Sequence, residues 1–528
     1  MVKPKLALIP SGYKNSKVYS ILPNDGSGDF TFARNSGGTR VNKQGLIEQM
    51  QTYGSQLLNN SDFTSTSDWT VNNTGSAASV IENGYLHINT SSDYTEATQS
   101  IGLTAGDTYR VDYEILESTA GTISIIGNGG ASTIIPSTVG KHTIEYDAQA
   151  VFAVKRTTGS TNIKIAYIKL YKVQYNTPRL DWYDSNCPSL LLESQSTNLL
   201  SYSEALDNYS NSNTVCTLNY AISPDGTKNA TRVDFTASFT NALGVNGTVN
   251  NGETITQSIF VKYIDAQFVQ LWFGSAGFNG GNTNFDLING TTSNPSGSSS
   301  TMENIGNGWW RISSTRTATS TSSNTGIFKL VVVDSLTSSR FGDEANGSVL
   351  AFGGQYEQKS HPTSYIPTFA GTSTRLADTC TDAGDATIFN DFEGVLYAEL
   401  KALSDDGTTR RFSVSDGTNN NRVLIGLSSS NRFQFVVSDG GSVVVNQLKT
   451  VSDITEYNKV AFSYKENDCK IYINGQEVGT DTVATMPSGL DTFNFNQGNG
   501  TEQFYGKVKD VRYYDTALTD AELTELTT

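Results

Sequence analysis

The sequence predicts an all-β, multidomain chain, and three observations carry that prediction. The first is composition. Charged residues are only 17% of 528, while 25 Tyr, 24 Phe and 5 Trp supply large apolar side chains for several cores. A disordered chain has the opposite balance, and Thr, Val, Tyr and Phe in place of Lys and Glu favour strands. The second is alternation: Phe433, Phe435 and Val437 share one face, as do Val460, Phe462 and Tyr464, which is the period of a half-buried strand. The third is turn chemistry. Asn474-Gly475, between Lys470-Ile-Tyr-Ile and Gln476-Glu-Val, predicts a type I′ hairpin. Asp406-Gly407, Asp416-Gly417 and Asp439-Gly440 close neighbouring connections. So long a chain exceeds one core, and two to four domains are expected.

The C-terminal stretch is the most legible. Strands and turns run from Gly394, and Thr519-Asp-Ala-Glu522 is a capping box that starts the one helix expected. The closing series Tyr505-Gly-Lys-Val-Lys-Asp-Val-Arg-Tyr-Tyr-Asp, then Thr-Ala-Leu-Thr-Asp-Ala-Glu-Leu, resembles the laminin-G/concanavalin-A-like sandwiches. The resemblance implies a two-sheet domain over residues 373–528 that binds sugars or proteins more often than it catalyses.

Upstream, distinctive blocks stand apart from plain strand-and-turn sequence. Gly28-Asp-Phe-Thr-Phe-Ala-Arg-Asn-Ser and Gly38-Thr-Arg-Val-Asn-Lys-Gln-Gly-Leu-Ile-Glu come early. Pro178-Arg-Leu-Asp-Trp-Tyr-Asp, Cys187-Pro-Ser-Leu-Leu-Leu-Glu and Thr197-Asn-Leu-Leu-Ser-Tyr-Ser-Glu follow much later. Pro362-Thr-Ser-Tyr-Ile-Pro-Thr-Phe and Thr374-Arg-Leu-Ala-Asp form a connector. Together they resemble tail, fibre and head-decoration proteins of bacteriophages, notably those of Bacteroidetes hosts. In that family the early and middle blocks follow one another closely. Their separation here implies a domain inserted into a surface loop, where insertions are tolerated. The expected organisation is an N-terminal virion-attachment region at 1–53, continued by 174–198, and an inserted jelly roll of carbohydrate-binding-module type at 54–173. A second jelly roll at 199–372 and the C-terminal sandwich at 373–528 complete the three β-sandwiches. The order of blocks in the two jelly rolls, such as Gly106-Asp-Thr-Tyr-Arg-Val-Asp-Tyr and Gly252-Glu-Thr-Ile-Thr-Gln-Ser-Ile, suggests two diverged copies of one module.

Several function classes are disfavoured. A net charge of −16 argues against nucleic acid. No run approaches the roughly 20 apolar residues of a membrane span, so no membrane insertion is expected. Leu6-Ala-Leu-Ile before Pro10 is too short for a signal-peptide core. The expected setting is the virion, after synthesis in the host cytoplasm without a signal peptide. Cys187, Cys216, Cys380 and Cys469 show no metal-type spacing, and Cys469, in phase with Ile471 and Ile473, is expected as a buried free thiol. His87, His142 and His361 are far apart and are expected in structural or surface roles. Glu393, Glu399, Asp405, Asp406 and Asp416 sit singly or in turns and make no Glu-x-Asp-x-Glu strand. The convergent carboxylates of a glycosidase are therefore not expected, and the chain reads as a non-enzyme with no catalytic residue.

Aromatic residues are the remaining candidates, because a sugar's CH face stacks on an aromatic ring. Trp272 and Trp310 are the expected carbohydrate-binding residues, with Trp309 in packing, since adjacent strand residues face opposite sides. No cofactor is expected. Ca²⁺ held through oxygens is open, with Asp184-Ser-Asn186 as one such cluster, though the same residues make turns. The expected partners are other virion proteins, further copies of the chain and a host surface glycan. A purely structural virion component is the alternative, and a capsule depolymerase a third reading.

Overall fold

Strands account for nearly all the regular structure in the computed structural model, which describes residues 2–126, 132–157, 159–183, 187–238, 242–294, 298–339 and 343–528. The chain divides into two compact units, Gln51–Gln174 and the remainder, Met1–Met50 with Tyr175–Thr528.

The Gln51–Gln174 unit is a two-sheet sandwich. One sheet runs Gly140–Asp147, Thr108–Ala120, Thr161–Gln174, Tyr85–Thr90, Val80–Glu82, with Thr52–Gln56 also paired to Thr161–Gln174. The other runs Ser132–Ile135, Ile123–Ile126, Phe152–Arg156, Thr95–Gln99, Thr70–Asn73. Leu86, Ile88, Val111, Tyr113, Ile163 and Ile165 alternate inward from the first sheet and meet Ile123, Ile125, Phe152 and Val154 from the second.

The larger unit holds the other two sandwiches. In one, a sheet runs Thr214–Ala221, Ala230–Phe235, Gly347–Glu357, Thr254–Tyr263, Trp309–Thr317, Ser299–Gly306. Its companion runs Ser210–Ser212, Ala242–Val249, Ser322–Val333, Phe268–Phe273, Gly281–Asp286, Thr291–Ser293. Set the edge strands Thr291–Ser293 and Ser299–Gly306 aside and number ten strands in chain order from Thr70–Asn73 in the first sandwich and Ser210–Ser212 in the second. Both then have sheets ordered 2-3-10-5-8 and 1-4-9-6-7. The two modules share one topology, and what the second adds is these two strands, one at an edge of each sheet.

In the C-terminal sandwich, the sheet Thr492–Asn494, Arg410–Ser415, Arg422–Ser428, Arg432–Asp439, Ser442–Thr450 faces one that includes Gly506–Tyr514, Glu393–Lys401, Asn458–Lys465, Cys469–Ile473 and Gln476–Asp481. Asn474 and Gly475 have φ of 48° and 80°, the two positive values that a type I′ turn requires. The capping box of Thr519 and Glu522 is formed at the start of Asp520–Thr527. Cys469 is a buried free thiol.

The blocks expected as an attachment region are built into this same sandwich. Leu6–Leu8 and Ser189–Leu192 both pair with Gly506–Tyr514, and Arg179–Asp181 extends that sheet. Phe30–Ala33 pairs with Thr379–Thr381. Leu6, Leu8, Val18, Phe30, Phe32, Leu180, Leu190 and Leu192 are buried in one core with Leu396, Phe412, Phe462 and Val508. The physical reason is plain in the pattern: these short segments are apolar on the inward face and cover sheet edges that would otherwise be unpaired.

Charge holds the joint. Arg34, Arg179, Arg375, Glu193 and Asp378 are all buried. Arg179 pairs with both Glu193 and Asp378. Arg34 Nη1 lies 3.5 Å from Asp378 Oδ1, and Arg375 Nη2 lies 3.5 Å from Glu193 Oε2. Glu193 also accepts from the Ser364 amide at 2.8 Å and the Ser364 hydroxyl at 2.7 Å. Burial alone pushes the Glu193 carboxyl up, but the charges of Arg375 and Arg179 and the Ser364 hydrogen bond reverse this and hold it well below the carboxylate range. Arg34 Nη2 further donates to Met50 O at 2.8 Å and Tyr175 O at 2.9 Å. One nitrogen therefore gathers the two chain ends that flank residues 51–174.

Three expectations follow. Joining Met50 to Tyr175 through a short Gly-Ser linker should leave a chain that melts cooperatively; a soluble aggregate or a non-cooperative melt would contradict the division. Asp378→Ala removes the carboxylate partner of buried Arg34 and one of the two carboxylate partners of buried Arg179, and should cost about 3–5 kcal/mol, read from urea midpoints. The stability contributed by Glu193 is complete above the unfolded carboxyl value of about 4.3 and is lost as pH falls from there toward its depressed folded value. Wild type should accordingly lose more stability than Glu193→Gln between pH 7 and pH 3.

Candidate functional site

The two expected tryptophans occupy different sheets and share no site. Trp309 and Trp310 begin the strand Trp309–Thr317, opposite Lys262 and Val261, and face opposite sides as period two demands. Trp309 is 3% exposed in an apolar cluster with Ile47, Phe260, Ile305, Leu350, Phe352 and Tyr365. Trp310 is the one turned toward the sandwich core. Its indole N–H donates to Leu287 O at 3.0 Å, and a Cβ placed on Gly290 would come within 2.5 Å of the ring. Trp272 is half-buried on the outer face of the companion sheet, opposite Asn282. Its ring packs on Gly326 beside the Lys329 stem. The neighbouring amides Gln270, Asn282 and Asn284 are buried, and all three donate to Ser338 O.

An aromatic groove that the sequence reading passed over lies beside Asn304–Gly306, just ahead of Trp309 in the chain. It is a concavity of about 550 Å³ walled by Asn42, Lys43, Trp182, Tyr183, Asn304 and Ile305. Its construction is local. Thr39–Val41 and Ile47–Gln49 form a hairpin, closed by Asn42 Oδ1 accepting from the Gln44 and Leu46 amides at 2.9 and 3.0 Å. The Trp182 amide donates to Val41 O at 3.0 Å, which seats the indole beside the hairpin. Lys43 Nζ sits 5.4 Å from the Trp182 ring centroid. Lys507 lies 5.2 Å over Tyr183 and donates to Asp181 Oδ2 at 2.8 Å, while Asp181 Oδ1 takes the Val41 amide. Two adjacent aromatic rings, three amide or ammonium side chains and exposed backbone make a surface suited to the CH faces and hydroxyls of a sugar. The signal in the sequence was the Trp182-Tyr183 pair itself, which sits inside a block read for its family resemblance alone. Asp184-Ser-Asn186, the oxygen cluster considered for Ca²⁺, lies outside the described residues. Among the described residues no group of three or more His, Cys, Asp or Glu is placed to hold a metal ion.

Two constellations bear on catalysis. His361 Nδ1 lies 3.1 Å from Ser404 Oγ and 3.2 Å from Ser360 Oγ, and both hydroxyls donate to Asp406 Oδ2 at 2.9 and 2.7 Å. Asp406 also takes Arg410 at 2.8 Å. The carboxylate binds the serines rather than the imidazole, so it does not orient His361 as a general base; burial lowers that imidazole's affinity for a proton. Glu399 and Asp510 are directly opposed on adjacent strands, a juxtaposition invisible in sequence. Asp510 is held by Arg512 at 3.1 and 2.6 Å, and Glu399 lies 4.0 Å from Lys509. Burial pushes Asp510 up, opposed by Arg512.

Residues 395–524 match the concanavalin A-like lectin/glucanases superfamily, in its laminin-G form. Among solved structures, the CBM40 module of the Ruminococcus gnavus IT-sialidase, bound to α2,3-sialyllactose, is similar over 27% of this chain and 86% of its own, at 19% identity and a TM-score of 0.25. Domain 4 of an extracellular GH43 arabinanase from Geobacillus stearothermophilus, in complex with arabinotriose, covers 32% and 83%, at 17% identity and 0.24. A heptameric SAP-like pentraxin from Limulus polyphemus covers 26% and 70%, at 16% identity and 0.22. These are likenesses of fold. No curated protein matches the chain.

Proposed function

We propose that this chain is a non-enzymatic glycan-binding protein whose principal sugar contacts are Trp182 and Tyr183. The observation that carries this is the groove: a concave surface with adjacent aromatic rings flanked by Asn42, Lys43 and Asn304, on a chain whose C-terminal domain matches a lectin-containing superfamily. Trp272 is a further sugar contact in this reading, and Trp310, already packed and hydrogen-bonded, is a packing residue.

The early, middle and connector blocks support a place for it, as a fibre or decoration subunit of a phage virion. It would be made in the host cytoplasm and displayed in many copies on the particle. Single sugar sites on β-sandwiches are weak, and multiple copies raise the apparent affinity through effective concentration rather than through tighter contacts. The buried ionic joint supports the structural part of that role, because it fastens segments remote in sequence into one body.

The test is a glycan array probed with the intact chain and with Trp182→Ala. The intact chain should bind a defined glycan set, and the variant should lose at least about tenfold in affinity, equal to roughly 1.4 kcal/mol, at unchanged melting temperature. Glycans bound at the end of a long incubation should carry no new reducing ends. Release of reducing ends that stops in Glu399→Gln or Asp510→Asn would replace the binding reading with a hydrolytic one.

A further inference from the structure

A second cleft, separate from the Trp182 groove, lies where the connector after Gly347–Glu357 crosses the edge of the second sandwich. It is about 390 Å³ in volume and is lined by Glu204, Leu218, Asn229, Pro367, Thr368 and Phe369. Phe369 is 88% exposed at its mouth, with its ring centroid 6.3 Å from that of Tyr202 in an edge-to-face contact. A ligand that covers so exposed a ring gains the apolar area it removes from water.

The cleft also holds hydrogen-bonding capacity that the chain does not use. Thr368 Oγ1 and Asn229 Oδ1 are buried atoms without a hydrogen-bond partner, and Thr368 as a whole is 8% exposed. The orientation of the Asn229 amide is fixed by its neighbours. Its nitrogen donates to Glu204 Oε2 at 3.1 Å and to Asp225 Oδ2 at 3.0 Å, and carboxylates accept only from N–H, so the oxygen is the unused end. Buried polar atoms without partners are rare in folded proteins and call for an explanation. The edge strand gives a third sign. The register of Thr214–Ala221 breaks between Thr217 and Ala221, with Asn219 at a φ of 53°, and such bulges concentrate beside binding sites.

The geometry points to a binding site for a neutral, hydroxyl-rich sugar, stacked on Phe369 and hydrogen-bonded to Thr368, Asn229 and Glu204. The inference rests on the glycan-binding reading and names a second site and a ligand class for it. Charge selects the class. Glu204 takes its hydrogen bonds from Tyr365 and Asn229, and Asp225 from Ser223, Thr227 and Asn229, all of them neutral groups. Two carboxylates with neutral partners repel a sugar carboxylate or sulfate, whereas sugar hydroxyls can donate to Glu204 and to the Asn229 oxygen.

Titration calorimetry and saturation-transfer NMR on the intact chain test this, with neutral hexose oligosaccharides and uronic-acid oligosaccharides of equal length as probes. Phe369→Ala and Thr368→Val should each weaken neutral-sugar binding, the first by at least about tenfold, with the melting temperature unchanged for Phe369→Ala because its ring supports no core. Trp182→Ala should leave that component intact. Neutral-sugar binding indifferent to both cleft variants would overturn the site, as would preferential binding of uronic-acid oligosaccharides that Phe369→Ala abolishes. Sugar binding lost only in Trp182→Ala would remove this cleft and leave the wider glycan-binding reading standing, whereas an intact chain that binds no sugar would remove both.

Discussion

Five buried charges, drawn from segments as much as 344 residues apart, hold this chain together. Arg34, Arg179 and Arg375 meet Glu193 and Asp378 where water is excluded. Removing charges from water is costly, and their mutual attraction restores that cost only when geometry and hydrogen bonds are complete. Here Ser364, Met50 O and Tyr175 O meet further donors and acceptors of the cluster, while Arg179 Nε and Arg375 Nε are buried without a partner. The cluster ties the early, middle and connector segments to one another through these five groups. The Trp182 groove depends on it directly. Arg179 and Trp182 are three residues apart, and the hairpin that walls the groove follows Arg34 by a few residues in the same anchored segment.

The shared topology of the two jelly rolls shows where a common scaffold was diversified. The edge strands Thr291–Ser293 and Ser299–Gly306 are the second module's addition, and the last residues of the latter, Asn304 to Gly306, form one wall of the groove. The same module uses its edge strand and connector for the Phe369 cleft. The groove and the cleft proposed as sugar sites thus fall on additions and edges, while the inward-facing alternation of each sheet is kept for packing, which agrees with the general placement of binding residues on connections held by a rigid scaffold.

What the sequence revealed was whatever depends on near neighbours. The type I′ turn at Asn474-Gly475, the capping box at Thr519 and the inward face of Phe433, Phe435 and Val437 each rest on residues within one hairpin or one turn, and each is present. What it concealed depends on residues far apart. Arg179 and Asp378 carry no local sign that they are partners, so the blocks containing them, read as part of an attachment region and as a connector, gave no sign that they meet in a buried ion pair beside the C-terminal sandwich. The Glu399–Asp510 juxtaposition was hidden for the same reason. Trp309 and Trp310 show a subtler limit: period two correctly separates them, but it cannot say which side of a sheet is covered by a second layer. Ile47 and Tyr365, which pack with Trp309, come from outside the strands of its own sandwich.

The claim that the Trp182–Tyr183 groove is a sugar site is tested most directly by a structure of the intact chain bound to a glycan taken from the array. The account predicts an intact, uncleaved glycan with one ring stacked on the Trp182 indole and hydroxyls within hydrogen-bonding distance of Asn42, Lys43 or Asn304. A glycan seated elsewhere with the groove empty, or a cleaved product lying against Glu399 and Asp510, would contradict it.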